Sequence, residues 1–196
     1  MIILSDTEIK TPRVSNLPKC KALPFVMQDK VGLDVCIRAY QDDDYMGIMT
    51  MYDDFEPKGI AMGLPPPDDE VRRRWVDDIV RTFFNILALH QKKIIGHAAI
   101  DILRTKFSPE YMIFLHQDFR CRGIGTQLTL TVKEICKECA CKQVWLTVSS
   151  YNTCAIHVFK KAGFHFSGPI ESERDMVLEL SRTIKGICDK HKGEKE

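Results

Sequence analysis

The chain has 196 residues, 44% of them hydrophobic and 28% charged, with 28 Lys and Arg against 27 Asp and Glu. This length fits one domain with a buried core, and the composition excludes a disordered or fibrous chain. The net charge of +1 gives the whole chain no attraction for nucleic acid or for a membrane surface, so we expect neither partner.

Targeting features and cysteine content favour a cytoplasmic protein with reduced thiols. The N-terminus lacks the basic and apolar regions of a signal peptide, and no segment reaches the roughly 18 consecutive apolar residues of a membrane span. The eight cysteines are scattered, unlike those of a disulfide scaffold. Cys136, Cys139 and Cys141 contain one C-x2-C step, but no second pair of zinc ligands follows them. We therefore expect buried or half-buried thiols and no metal.

The first half of the chain predicts an irregular arm followed by the start of an α/β domain. Residues 1–34 contain three prolines and show no sustained periodicity. The predicted elements that follow are a strand over 35–40, a helix over 46–55 introduced by Asp42–Asp44, a loop over 57–69, a helix opened by 67–70, and strands over 83–90 and 94–103.

The second half alternates strands and helices before a final hairpin. Its predicted elements are strands over 111–116, 143–148, 164–168 and 175–180, and helices over 125–139 and 153–161. The order β-α-α-β-β-β-α-β-α-β-β favours an α/β fold. We expect one domain over residues 35–182 and a charged tail over 183–196.

The loop Arg120–Thr126 has the features of an anion site. Gly123 and Gly125 let the backbone turn tightly and approach a ligand. The helix that begins there offers unpaired N–H groups and the positive end of its dipole, and Arg120 and Arg122 suit phosphate oxygens. No Lys-Ser/Thr pair follows, which excludes a P-loop, and Leu128 excludes the dinucleotide fingerprint. A glycine turn with two solvated arginines is the alternative interpretation.

Two segments resemble the GNAT acyl-CoA N-acyltransferases. HQDFRCRGIGTQL resembles the family signature Arg/Gln-x-x-Gly-x-Gly/Ala, and VWLTVSSYNTCAIHVFKKAGF resembles the later strand-Asn-helix block. The matching residues are Arg120, Gly123, Gly125, Asn152, Ala155, Ile156, Gly163 and Phe164. The resemblance covers residues 34–180. FEPKGIAMGLPP and the Arg-rich helix after it also look like a bacterial subgroup similar to protein-lysine acetyltransferases, some members of which are fused to acyl-CoA synthetase-like modules.

The resemblance implies a mixed central sheet of six to seven strands, splayed between the fourth and fifth, with about four flanking helices. Acetyl-CoA would lie between the splayed strands. The implied cofactor-binding residues are Ile113, Phe114 and Leu115 on the fourth strand, Arg120, Cys121, Arg122, Gly123, Ile124, Gly125 and Thr126 in the loop, and Asn152, Ala155 and Phe159 beyond the fifth strand. A helix N-cap is the alternative and compatible role of Asn152.

The implied reaction is direct attack of an amine on the thioester. A lysine amine has a pKa of about 10.4, so a base must take its proton. Glu110 resembles in position a glutamate that serves as base in some family members. Asp101 and His97 are the next candidates, and an exposed strand-end charge or a satisfied core histidine is the alternative for each.

Phe159 stands where many family members carry a tyrosine that protonates the leaving thiolate. A phenyl ring cannot donate a proton. Tyr151 is therefore our candidate acid, with Ser150 and Cys154 nearby in sequence. Alternatively, the thiolate leaves unassisted, which a thiol pKa of about 8.5 permits.

The distribution of charge suggests the acceptor. Residues 41–80 hold eleven acids and four bases, a net charge of −7, which leaves +8 for the rest of the chain. In the family this region borders the acceptor groove, where acids would attract a cationic amine. A protein lysine is the first expectation and a small amine or polyamine the second. Acids placed at helix N-termini and on solvated faces are the plain alternative. A catalytically silent acyl-CoA-binding module that regulates a partner is the competing function.

Overall fold

A computed structural model describes residues 20–59 and 63–180 of the chain. Its elements are β1 (Phe25–Gln28), β2 (Asp34–Ala39), α1 (Tyr45–Asp53), α2 (Asp69–Thr82), β3 (Phe84–His90), β4 (Lys93–Ile100), β5 (Tyr111–Leu115), α3 (Ile124–Glu138), β6 (Gln143–Ser149), α4 (Thr153–Ala162), β7 (His165–Ser167) and β8 (Glu173–Glu179). The predicted order is confirmed, with one strand added before it.

The interpretation of residues 1–34 as irregular is wrong for residues 25–28. These residues form β1, which pairs antiparallel with β2 and places Phe25 opposite Ile37. Phe25 and Met27 are half-buried against the core while Val26 is exposed, the alternation of a strand with one solvated face. Residues 1–19 and the predicted tail over 183–196 lie outside the described residues.

Several element boundaries differ from the predicted ones by a few residues, and three of these differences have clear local reasons. Helix α1 ends at Asp53, so Phe55 belongs to the connection that follows. Helix α2 begins at Asp69 because the Asp68 side chain accepts a hydrogen bond from the Val71 N–H, as an N-cap does. Strand β4 ends at Ile100, since the chain turns at Asp101 and the Thr105 N–H donates to the Asp101 carbonyl at 3.2 Å.

The strands form two antiparallel sheets that meet at one point. The first sheet has the order β1-β2-β3-β4-β5 and the second the order β6-β8-β7. A parallel bridge joins them at Glu110 and Trp145, beside a 3.1 Å hydrogen bond from the Trp145 N–H to the Pro109 carbonyl. β5 and β6, the fourth and fifth predicted strands, therefore touch at this vertex and separate beyond it. The splayed α/β fold implied by the resemblance is confirmed, and we call this opening the wedge.

The helices cover both faces of the first sheet. Ile124, Leu128, Val132 and Ile135 from α3 pack on one face together with Phe159 and Ala162 from α4. On the other face, a cluster from α1 and α2 includes Ile48, Tyr52 and Val76. This packing on both faces fixes β5, and so one wall of the wedge, in place.

Candidate active site

The inner edge of β5 presents main-chain groups to the wedge. The His116 N–H donates to the Ile95 carbonyl of β4 at 2.9 Å, and hydrogen-bonded pairs alternate along an antiparallel ladder. Ile113 and Leu115 therefore direct their N–H and C=O groups away from β4. The Leu115 carbonyl accepts a 3.0 Å hydrogen bond from Arg120 Nε. The Ile113 N–H and C=O and the Leu115 N–H are left to pair with an extended ligand.

Phe114, between these two residues, directs neither its side chain nor its main-chain groups to the wedge. Its ring lies 5.5 Å from that of Tyr52, 5.3 Å from Trp75 and 6.0 Å from Phe55, in the aromatic cluster under α1 and α2. By the same alternation, its main-chain groups pair with His97 of β4. The structure thus keeps Ile113 and Leu115 at the wedge and turns Phe114 away from it.

The loop between β5 and α3 gathers free main-chain donors. Within the described residues, no acceptor takes a hydrogen bond from the N–H groups of residues 121–126. Cys121 and Gly123 have φ angles of 62° and 90°, and this left-handed conformation costs Cys121 some strain. The Ile124 side chain is buried, so only its main chain can face a ligand. Successive N–H groups at the start of a helix form an anion site.

Gly125 leaves space in that site. A Cβ built on it would meet no atom within 4 Å, and its φ angle is not in the left-handed region. The protein's own packing and backbone therefore do not require glycine here. The close approach of a ligand to the main chain does explain it.

Arg120 binds the protein's own groups. Its Nε donates to the Leu115 carbonyl, its Nη2 donates to the Glu56 carbonyl, and its guanidinium lies 5.0 Å from the centre of the Phe55 ring. Burial lowers the pKa of Arg120 from its usual value. The side chain thus ties the connection after α1 to the end of β5, rather than pointing freely into the loop.

Arg122 is also held by the protein. Its Nη2 donates to the Asp118 carbonyl at 2.6 Å, and its Nη1 lies 3.6 Å from Asp29 Oδ2. Both loop arginines therefore have internal partners in this structure. The main-chain N–H groups are the loop's freest anion donors.

A second set of contacts, which the sequence analysis missed, joins the connection after α1 to the end of β5. Buried His116 donates from Nε2 to Asp54 Oδ2 at 3.0 Å, and this hydrogen bond lowers the pKa of Asp54. Gln117 Nε2 donates to the Asp54 carbonyl at 2.7 Å, while Gln117 Oε1 accepts from the Glu56 N–H at 2.9 Å. These partners are 61 to 63 residues apart in sequence, so no local pattern reveals them.

Glu110 lies at the vertex of the wedge, beside Trp145. It is half-buried, and burial followed by the nearby Asp101 carboxylate raises its pKa. No side chain among the described residues forms a hydrogen bond or ion pair with it. Buried Asp101 instead accepts a 2.9 Å hydrogen bond from Arg104 Nε. Of the two carboxylates, Glu110 is the one free to take up a proton.

His97 is a satisfied core histidine. Both amide hydrogens of Asn85 are directed at main-chain carbonyls at the end of α2, so Asn85 Oδ1 must accept from His97 Nε2, at 2.9 Å. The Tyr52 hydroxyl then donates to Nδ1 at 2.7 Å. Burial lowers the pKa of His97 to about 3. With both ring nitrogens engaged, His97 cannot act as the base.

The buried imidazole predicts a pH dependence of stability. Folded His97 stays neutral down to about pH 3, whereas the unfolded chain protonates it near pH 6.5. Above pH 6.5 the residue contributes no pH dependence. Below it, the free energy of unfolding falls by about 1.4 kcal/mol per pH unit, about 2 kcal/mol by pH 5. Urea denaturation at pH 7.5 and 5 should show this loss in the wild type and its absence in His97→Gln.

Exposed His165 provides the matched control, and His165→Gln should keep the wild-type loss. An equal loss of stability in His97→Gln and the wild type would show that His97 is not the group responsible.

Comparison with known proteins decides the family. The model of the Acetyltransferase (GNAT) family matches residues 47–164, more than half of the chain. The chain belongs to the GNAT acetyltransferase family. A comparison with curated protein sequences found no significant match.

Solved GNAT structures share the fold at low sequence identity. The GNAT domain of S. lividans PAT is 14% identical, with a TM-score of 0.70 over 80% of this chain and 97% of that one. The structure of yncA from Salmonella typhimurium, solved with acetyl-CoA, is 15% identical, with a TM-score of 0.60 over 79% of this chain and 99% of that one. A spermidine N-acetyltransferase chimera of Vibrio cholerae SpeG and hSSAT is 18% identical, with a TM-score of 0.57 over 74% of this chain and 95% of that one.

The remaining GNAT motif residues lie around α4. Asn152 Oδ1 accepts from the Ala155 N–H at 3.1 Å, which confirms the N-cap role. Phe159 is buried, with its ring 6.2 Å from Tyr111 and 5.9 Å from Phe164. The tyrosine position of the GNAT motif is therefore filled here by part of an aromatic core.

Tyr151 and Glu110 are not brought together. Tyr151 is 81% exposed and follows the end of β6, while Glu110 adjoins Trp145 near its start. The four residue steps of strand from Trp145 to Ser149 span about 13 Å. Proton donation by Tyr151 thus remains a prediction. The two residues lie at opposite ends of β6, so their positions do not support an acid and a base that act at one point.

Cys136 and Cys141 are buried, as predicted, and a hydrogen bond between their thiols raises the pKa of Cys136. In the part of the chain that the structure describes, no group of three or more His, Cys, Asp or Glu side chains is arranged to hold a metal ion. No helix in those residues is long and apolar enough to cross a membrane.

Most acids of residues 41–80 have partners within the chain. The contacts are Arg38–Asp44, Arg72–Asp53, Arg72–Asp69, Arg74–Glu70, Lys58–Glu56, His116–Asp54 and Tyr45–Asp77. Among the described residues, five of these acids form no ion pair: Asp68 caps α2, Asp77 accepts from the Tyr45 hydroxyl, and Asp42, Asp43 and Asp78 have neither kind of partner. The net charge of −7 already includes Lys58 and Arg72–Arg74. Among the described residues, the only lysine or arginine partners from outside the region are Arg38 and Lys93, which lies 3.9 Å from Asp54, so the region stays net negative.

Proposed function

We propose that the protein transfers the acetyl group of acetyl-CoA to a primary amine, with a protein lysine as the first acceptor to test. One observation carries the proposal: the wedge has a free strand edge along one wall and a loop of free N–H groups at its open end. A long ligand with amides in its middle and phosphates at one end fits that order of groups.

The residues present fit acetyl-CoA segment by segment. The Ile113 N–H and C=O and the Leu115 N–H can pair with the pantetheine amides as an added strand would. The N–H groups of residues 121–126 can bind the pyrophosphate, and Gly125 leaves room for it. The vertex at Glu110 closes the inner end of the wedge, where we place the reacting group.

Acetyl-CoA supplies an activated acyl group as a thioester. Glu110 takes the proton that the amine loses, and its raised pKa makes it a stronger base than an ordinary carboxylate. Phe159 supplies no proton, so the thiol group leaves as the thiolate, which its pKa of about 8.5 permits. The chain's own contribution is thus to hold the two reactants and to accept one proton.

Fewer observations support the class of acceptor than support the binding of acetyl-CoA. Unpaired Asp42, Asp43 and Asp78 favour a cationic amine, and the sequence likeness to a bacterial subgroup favours a protein lysine. The spermidine N-acetyltransferase with the same fold shows that the fold also serves a polyamine in another protein. The experiment must therefore offer both kinds of amine.

The test is transfer of label from [¹⁴C]acetyl-CoA to a panel of lysine-rich proteins and free polyamines, with binding measured by calorimetry. We expect label in the protein fraction that alkaline hydroxylamine does not remove, since an amide resists it. Label found only in polyamines would show that the acceptor is a polyamine and not a protein lysine. Tight binding without transfer would replace the enzyme by a silent acyl-CoA-binding module, and absence of binding would overturn the whole proposal.

A further inference from the structure

The turn between β1 and β2 lies directly against the candidate phosphate loop. The Lys30 N–H donates to the Arg122 carbonyl at 3.0 Å, which joins the two segments through their main chains. A Cβ built on Gly123 would lie 3.8 Å from Lys30 Cγ and 3.9 Å from Lys30 Cε. The lysine stem therefore runs across Gly123, and its ammonium group is one bond beyond Cε. Residue 30 lies outside the matched family region, residues 47–164.

This turn is built to hold its shape. Asp29 Oδ1 accepts from the N–H groups of Val31 and Leu33, each at 2.9 Å. The Asp29 N–H donates to the Leu33 carbonyl at 2.9 Å, and Gly32 takes a φ angle of 88° that favours glycine. The Asp29 side chain is fully buried. These bonds fix the main chain of Lys30 relative to the loop.

The charges around the turn leave the Lys30 ammonium available. Asp29 Oδ2 is the nearest carboxylate oxygen to Arg122, at 3.6 Å from Nη1, so these two groups compensate each other. Lys30 is exposed, and no carboxylate of the described residues lies within 4 Å of its nitrogen. An exposed cation thus lies beside the loop that carries the free N–H groups of residues 121–126. A lysine ammonium binds phosphate as a point charge.

The geometry points to Lys30 as a phosphate-binding residue of the cofactor site, supplied by the N-terminal β-hairpin. This inference rests on the proposed binding of acetyl-CoA. Acetyl-CoA carries two kinds of phosphate, the pyrophosphate and the ribose 3′-phosphate. The ammonium group suits phosphate oxygens of either kind, and one analogue separates the two.

The experiment measures the Kd of acetyl-CoA and of 3′-dephospho-acetyl-CoA by calorimetry for the full chain and for Lys30→Ala. An exposed charge pair contributes up to about 1 kcal/mol, so we expect acetyl-CoA to bind about three- to fivefold more weakly to the variant. Lys30→Arg should restore most of the affinity. Lys137→Ala, which removes the same charge at the far end of α3, should bind as the wild type does.

The two cofactors make every outcome decisive. A loss in Lys30→Ala for acetyl-CoA alone assigns Lys30 to the 3′-phosphate, and an equal loss for both assigns it to the pyrophosphate. Unchanged affinity for both, or the same loss in Lys137→Ala, overturns the inference while the proposed function stands. Absence of acetyl-CoA binding by the wild type overturns the proposed function itself.

Discussion

Gly125→Leu should weaken acetyl-CoA binding by roughly 100-fold or more without weakening the fold. The first carbon of the added side chain meets no protein atom within 4 Å. That space is where the pyrophosphate would approach the N–H groups of residues 121–126. Overpacking a close contact costs about 1–3 kcal/mol, which is up to roughly 100-fold in Kd, and a leucine also blocks the anion's approach.

The fold should be unaffected or slightly strengthened by this change. Gly125 is the second residue of α3, and replacing a helical glycine gains about 0.5–1 kcal/mol. The measurements are Kd by calorimetry and Tm for Gly125→Ala, Gly125→Val and Gly125→Leu, with affinity decreasing along the series. Gln127→Leu is the control, because Gln127 lies outside the loop of residues 121–126 and its side chain lines a surface depression with Lys21 and Phe25. If a folded Gly125→Leu variant bound acetyl-CoA as tightly as the wild type does, the assignment of this loop to the pyrophosphate would be wrong.

The centre of the fold was predictable because its signals are local. The apolar positions of α3 recur at helical spacing, and Gly123, just before it, takes a φ angle of 90° that favours glycine. Asn152 occupies the N-cap of α4, where its side chain accepts a main-chain hydrogen bond. Each of these elements is specified within about a dozen residues.

β1 escaped prediction because its four residues become a strand only through β2. A four-residue alternation is too short to distinguish from a loop, and three prolines precede it. Its decisive features are the pairing with β2 and the buried Asp29 that closes the turn. Neither is visible without the partner strand.

The strand and the loop of the candidate site were predicted from the sequence, but the direction of their side chains was not. The motif placed Arg120 in a phosphate loop, yet its guanidinium turns to the Glu56 carbonyl, 64 residues away in the chain. Phe114 lies on the predicted strand but faces the aromatic cluster under α1, because alternate residues of a strand face opposite sides. A sequence motif locates a loop or strand, whereas packing against distant segments decides which groups remain free.

Glu110→Gln should lower kcat/KM for acetyl transfer by about 100-fold or more and leave the Kd of acetyl-CoA unchanged. General base catalysis contributes typically 10²–10⁴-fold. Glutamine keeps the shape of the side chain but cannot accept the amine proton. Because only this proton transfer is removed, cofactor binding along β5 and at the loop is preserved. Glu134→Gln, an exposed change on α3, is the matched control and should keep full activity.

The pH profile assigns the lost step to Glu110. Burial and the Asp101 charge raise the pKa of Glu110, so activity should fall as the pH drops through that raised pKa. Asp101→Asn removes a neighbouring negative charge, lowers the pKa of Glu110 and should move the acidic limb to lower pH. In Glu110→Gln this limb should disappear from the residual activity. If Asp101→Asn abolished transfer while Glu110→Gln kept both its rate and its acidic limb, the base would be Asp101 instead.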